Sequence, residues 1–130
     1  MKRLAFAGAL ALLSAIAHAQ YSNLYVFGDS LSDSGAFTPL VTVLGAPTAN
    51  KFTNNPGTVW AENLGARYGV SVTPGYLLDL ATTTFAATGG NNYAIGGARI
   101  TQQPGVFGLP PNPPLGDAIA ANIVPLSGQI

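Results

Sequence analysis

Two short apolar runs, each ending on glycine, constrain this chain more than any other feature. Leu24-Tyr25-Val26-Phe27 enters Gly28-Asp29-Ser30, and Asn92-Tyr93-Ala94-Ile95 enters Gly96-Gly97. The first run has no polar alternation and reads as a strand buried on both faces, the setting of a parallel sheet. The second repeats the grammar of strand and then tight turn. Between them, Trp60, Leu64 and Tyr68 recur at i, i+4 and i+8, with Val59, Glu62, Asn63 and Arg67 spaced by threes and fours. That spacing predicts a helix capped by Thr58, stopped by Gly69, with Trp60 in the core. Strand, glycine turn and helix in succession predict βαβ units and an α/β fold with an open parallel sheet. In such sheets the working residues lie beyond the carboxyl ends of the strands, where Ser30 and Gly97 both fall.

Elsewhere the pattern is looser. Thr38 to Leu44 suits a short helix or an extended loop, and the stretch from Lys51 to Gly57 is a turn by composition. Val70 to Val72 suits a short strand, while Tyr76 to Ala87 stays open between strand and loop. Beyond Arg99, Pro104, Pro110, Pro111, Pro113 and Pro114 exclude regular helix or central strand. Asp117 to Asn122 is helix-like and breaks at Pro125, and Ser127 would cap another helix with its body from Gly128. No internal repeat is present.

Met1-Lys2-Arg3, the apolar run Leu4 to Ile16 and Ala17-His18-Ala19 make the three parts of a secretory signal peptide. The run is shorter than the roughly 20 residues that span a bilayer. Cleavage after Ala19 is expected, so residues 1–19 are the signal peptide and 20–130 the exported domain. The mature 111 residues suit one modest domain. They carry three basic and five acidic side chains, which excludes the clustered positive charge that nucleic acid requires. With no cysteine in the chain, an exported domain must hold together by packing alone.

A serine hydroxyl becomes a nucleophile only when a base takes its proton and donors face the developing oxyanion. A strand-to-helix turn supplies free N–H groups for the second need. From the residues alone, Ser30 is a nucleophile or a helix cap, since Ser30-Leu31-Ser32-Asp33 also fits a capping-box-like start. Asp29 and Asp33, at the same helix start, read as structural and matched to its dipole.

The stretch "FGDSLSDSG" closely resembles the first block of the GDSL, or SGNH, family of serine esterases and lipases. "NPGTVWAENL" (55 to 64) and "NYAIGGAR" (92 to 99) are also similar to that family, in the right order. The resemblance covers roughly Asn23 to Ile130. It implies a three-layer α/β/α, flavodoxin-like parallel sheet, incomplete in this chain. It also implies that Ser30 is the nucleophile, and that the backbone N–H groups of Ser30 and Gly97 are two of three oxyanion donors. The substrate would be a small-molecule or lipid ester, with no metal or organic cofactor. The protein would be secreted, periplasmic or outer-membrane-associated, since a subset of the family is attached there through a C-terminal β-barrel.

The departures bear on activity. The family's Gly-x-Asn-Asp block and late Asp-x-x-His are absent, and His18, the single histidine, lies in the signal peptide. The expectation is therefore the N-terminal part of a longer hydrolase, inactive by itself for want of an imidazole. The alternative is a non-enzymatic exported binding domain that kept the fold and lost the chemistry.

Overall fold

The computed structural model describes residues 21–53, 57–107 and 114–130. The expected signal peptide, with His18, lies outside the described residues, as do Asn54, Asn55, Pro56, Pro110, Pro111 and Pro113. Along the chain come α1 (Thr38–Val43), α2 (Trp60–Arg67), β1 (Tyr76–Asp79), β2 (Thr84–Ala87), α3 (Pro114–Asn122) and α4 (Leu126–Gln129).

The two glycine-ended runs lie side by side as extended backbone joined by isolated parallel bridges. Asn92 bridges Val26 on one side and Pro74 on the other. The Val26 N–H donates to Asn91 O at 2.9 Å, and Val26 O accepts from the Tyr93 N–H at 2.7 Å. The Asn92 N–H donates to Thr73 O at 2.9 Å on the far side. The segment expected as a strand at Val70 to Val72 therefore makes its parallel contact slightly later, at Pro74.

Side-chain amides supplement these bridges. Asn91 Nδ2 donates to Asn23 Oδ1 and Ser71 O, both at 2.9 Å, and Asn91 Oδ1 accepts from the Thr73 N–H at 3.0 Å. One buried amide thus ties three segments together.

The stretch left open between strand and loop is an antiparallel hairpin. Leu77 pairs with Ala86 and Leu78 with Phe85. Asp79 Oδ1 accepts from the Ala81 N–H at 2.8 Å, and Thr83 takes a left-handed φ of 56°. Thr83 takes a conformation usually left to glycine or asparagine, so the turn carries no glycine signal. Leu78 is buried with Ala36, Phe37, Ile95, Ile119 and Ile123 in the main core. Phe37 meets Phe85 edge-to-face and stacks on Phe107.

Helix α2 corrects two expectations. Val59, not Thr58, is its N-cap; Glu62 Oε2 accepts the Val59 N–H at 2.9 Å, while the Thr58 hydroxyl donates to Asn63 Oδ1 at 2.7 Å. Its buried residues are Ala61 and Gly65, while Trp60 is 53% exposed. The reason is close approach of the following segment. A Cβ on Gly65 would meet Val70 O at 2.5 Å and Val72 Cγ2 at 2.6 Å. The small-residue face therefore packs inward, against a cluster of Val26, Val59 and Ala61, and the large stripe turns outward. Helix α4 likewise starts at Leu126 behind Pro125, one residue before the expected cap Ser127.

Candidate active site

Ser30 sits half-buried on the turn that follows the first extended run. The cap of that turn is Asp29. Its Oδ1 accepts from the Leu31 N–H at 3.1 Å, and its carbonyl oxygen accepts from the Ser32 and Asp33 N–H groups, both at 3.1 Å. Ser30 is therefore relieved of the capping duty that its sequence context allowed. Gly28, just upstream, has φ +150°, and a Cβ there would meet Ser32 Oγ at 3.2 Å. Only glycine makes this bend without strain.

Ser32 anchors the far side of the turn. Its carbonyl oxygen accepts from Asn92 Nδ2 at 2.7 Å, and its hydroxyl accepts from the Trp60 indole N–H at 3.0 Å. Trp60 thus leaves the core to hold the Ser30 turn by its polar edge, a contact that helical spacing does not reveal. Leu31, beside Ser30, is 70% exposed.

Gly97 lies on the turn after Ile95, at φ +81°, where the Ala98 N–H donates to Ile95 O at 3.0 Å. Gly97 O accepts from the Val106 N–H at 2.8 Å, and a Cβ on Gly97 would collide with the Val106 carbonyl oxygen. The two turns are joined by Asp33. Its Oδ1 accepts from the Gly35 and Ala36 N–H groups, each at 2.7 Å, and its Oδ2 accepts from the Gly96 N–H at 2.8 Å. One buried carboxylate thereby couples the turn of Ser30 to the turn of Gly97.

Burial is the main influence on Asp33 and pushes its pKa above 3.8, against the N–H groups of Ala36, Gly35 and Gly96 and the charge of Lys51. The folded state then holds this proton more tightly than the unfolded chain does. The stability Asp33 contributes through its titration is full below about pH 3.8 and is lost as pH rises through the raised value. Urea unfolding of the wild type and Asp33→Asn from about pH 3 to about pH 7 should show the wild type losing stability relative to the variant. A wild-type advantage that grows with pH would mean that the three N–H bonds outweigh burial.

Among the described residues no group of His, Cys, Asp or Glu could hold a metal ion, and no helix is long and apolar enough to cross a membrane. An apolar recess of about 270 Å³, lined by residues including Leu24, Leu64 and Tyr68, includes neither Ser30 nor Gly97 in its lining. Sequence reasoning placed Ser30 and Gly97 on turns but missed Asn92 and the outward Trp60 as holders of the Ser30 turn.

No family model matches the chain, and no solved structure does either. Two curated proteins are similar to it: Esterase EstA of Pseudomonas aeruginosa and Esterase EstA of Pseudomonas putida. Each is 35% identical over 95 residues, which cover 63% of this chain and 14% of the relative. The chain thus spans about a seventh of the length of these relatives. The likeness supports an esterase-family relationship.

Proposed function

We propose that residues 20–130 carry the nucleophile-bearing part of an exported GDSL-type serine ester hydrolase, built on a three-layer α/β/α parallel sheet. The observation that carries this reading is the division of labour at the first turn. Asp29 caps it, which leaves the Ser30 hydroxyl available, and the chain's likeness to two esterases supports ester hydrolysis as its use. The parallel bridges at Val26, Asn92 and Pro74 support the sheet, and the sequence of residues 1–19 supports export.

Ser30 Oγ attacks the ester carbonyl carbon as its proton passes to a base. The N–H groups of Ser30 and Gly97 receive the oxyanion, the ester C–O bond breaks, and the leaving oxygen takes the proton from the base and departs as the alcohol. Water then attacks the acyl-serine, releasing the acid and restoring the hydroxyl. Residues 20–130 contain no histidine, so none of them supplies an imidazole as that base. The substrate is a carboxylic or lipid ester, and Leu31, next to Ser30 in the chain, is an exposed apolar side chain suited to an acyl chain. The reaction calls on no cofactor.

A fluorophosphonate probe applied to the full-length gene product should label the peptide that contains Ser30. Labelling that persists in Ser30→Ala would place the nucleophile elsewhere and overturn the proposal.

A further inference from the structure

Gln129 is 4% exposed and lies 101 positions from Gly28, yet its amide closes on both polar groups of that one residue. Its Oε1 accepts from the Gly28 N–H at 2.9 Å, and its Nε2 donates to Gly28 O at 3.1 Å and to Val124 O at 3.1 Å. The side-chain amide acts as a rung of sheet at the end of the first extended run, two residues before Ser30. Filling this space needs no polar group. A buried glutamine gives up rotamer freedom and hydration, and those costs are offset only by well-formed hydrogen bonds.

Helix α4, which carries Gln129, is tied at its other end to the segment leaving the Gly97 turn. The Leu126 N–H donates to Arg99 O and the Ser127 N–H to Ile100 O, each at 2.9 Å. The helix is thus a strut from the exit of the Gly97 turn to the entry of the Ser30 turn. Asp33 joins the same two turns from inside.

We infer that Gln129 is a positioning residue for Ser30. It sets the orientation of the Gly28 peptide and, through α4, the separation of the Ser30 turn from the Gly97 turn. This inference rests on the proposed function. A rung that fixes the peptide leading into a nucleophile governs how well Oγ meets the carbonyl carbon, and a small misplacement there lowers the rate of the chemical step.

The test uses Gln129→Met and Gln129→Glu in the full-length gene product, with kcat referred to sites titrated by fluorophosphonate. Methionine matches the length without hydrogen bonds. Glutamate keeps the acceptor for the Gly28 N–H and loses the donor to Gly28 O. Both variants should lower kcat per titrated site by roughly 10- to 100-fold with KM changed less than about twofold. Should the methionine variant fail to fold, the glutamate variant carries the same reading. Unchanged kcat per titrated site, with only the urea midpoint lowered, would make Gln129 merely structural and overturn the inference while sparing the proposed function. Activity that survives Ser30→Ala would instead overturn the proposed function, and the positioning role with it.

Discussion

Ser30→Ala is expected to lower ester hydrolysis by the full-length gene product by roughly 10⁴-fold or more, while its stability to urea shifts by no more than about 0.5 kcal/mol. The separation of the two readouts follows from Asp29. The Leu31, Ser32 and Asp33 N–H groups at the start of the turn are taken by the Asp29 side chain and carbonyl. Ser30, half-buried, gives up little packing when its hydroxyl is removed. Were Ser30 the cap, the same substitution would cost about 1 kcal/mol of stability and leave any hydrolysis in place. Full activity with a stability loss of that size would restore the capping role and remove Ser30 from the chemistry. Asp29→Ala gives the mirror image, with a loss of about 1 kcal/mol as the Leu31 N–H loses its acceptor.

Asp33→Ala should destabilise the fold by about 3 kcal/mol or more, read as the loss in urea unfolding near neutral pH. The substitution leaves three N–H groups, those of Gly35, Ala36 and Gly96, without their acceptor in a buried position. Each stranded donor costs on the order of 1–3 kcal/mol. Asp33→Asn separates the parts of this effect. Its single carbonyl oxygen is best spent on the Gly35 and Ala36 pair, which turns an NH₂ toward the Gly96 N–H. Its stability loss should therefore be smaller than that of the alanine variant, while the tie between the Ser30 and Gly97 turns is broken. A loss below about 1 kcal/mol for Asp33→Ala would mean that water replaces the carboxylate and that the site is open to solvent.

Much of the local grammar was legible in the residues. Gly28 and Gly97 adopt the positive φ that only their composition allows at low cost. Thr38 to Leu44, open in sequence between a short helix and a loop, forms the helix Thr38–Val43, while the helical spacing after Thr58 gives Trp60–Arg67. Such features depend on neighbours three or four positions away, and periodicity reads them directly. The hairpin Tyr76–Ala87 escaped because its turn rests on Asp79 and Thr83 in place of an Asn-Gly or Asp-Gly pair.

The turns bearing Ser30 and Gly97 came from the sequence by itself, whereas the runs before them, read as strands, meet through isolated bridges, and the next helix after Ser30 begins at Thr38. Which face of α2 is buried came only with the tertiary structure, because the backbone at Val70 approaches Gly65 closely and admits no larger side chain. The same holds for the supports of the candidate site. Asp33 reaches Gly96 across 63 positions, Asn92 reaches Ser32 across 60, and Gln129 reaches Gly28 across 101. A hydrogen bond needs atoms within about 3 Å at the right angle. Between residues so far apart in the chain, that proximity is set by how the extended runs and helices pack, and no spacing along the sequence encodes it.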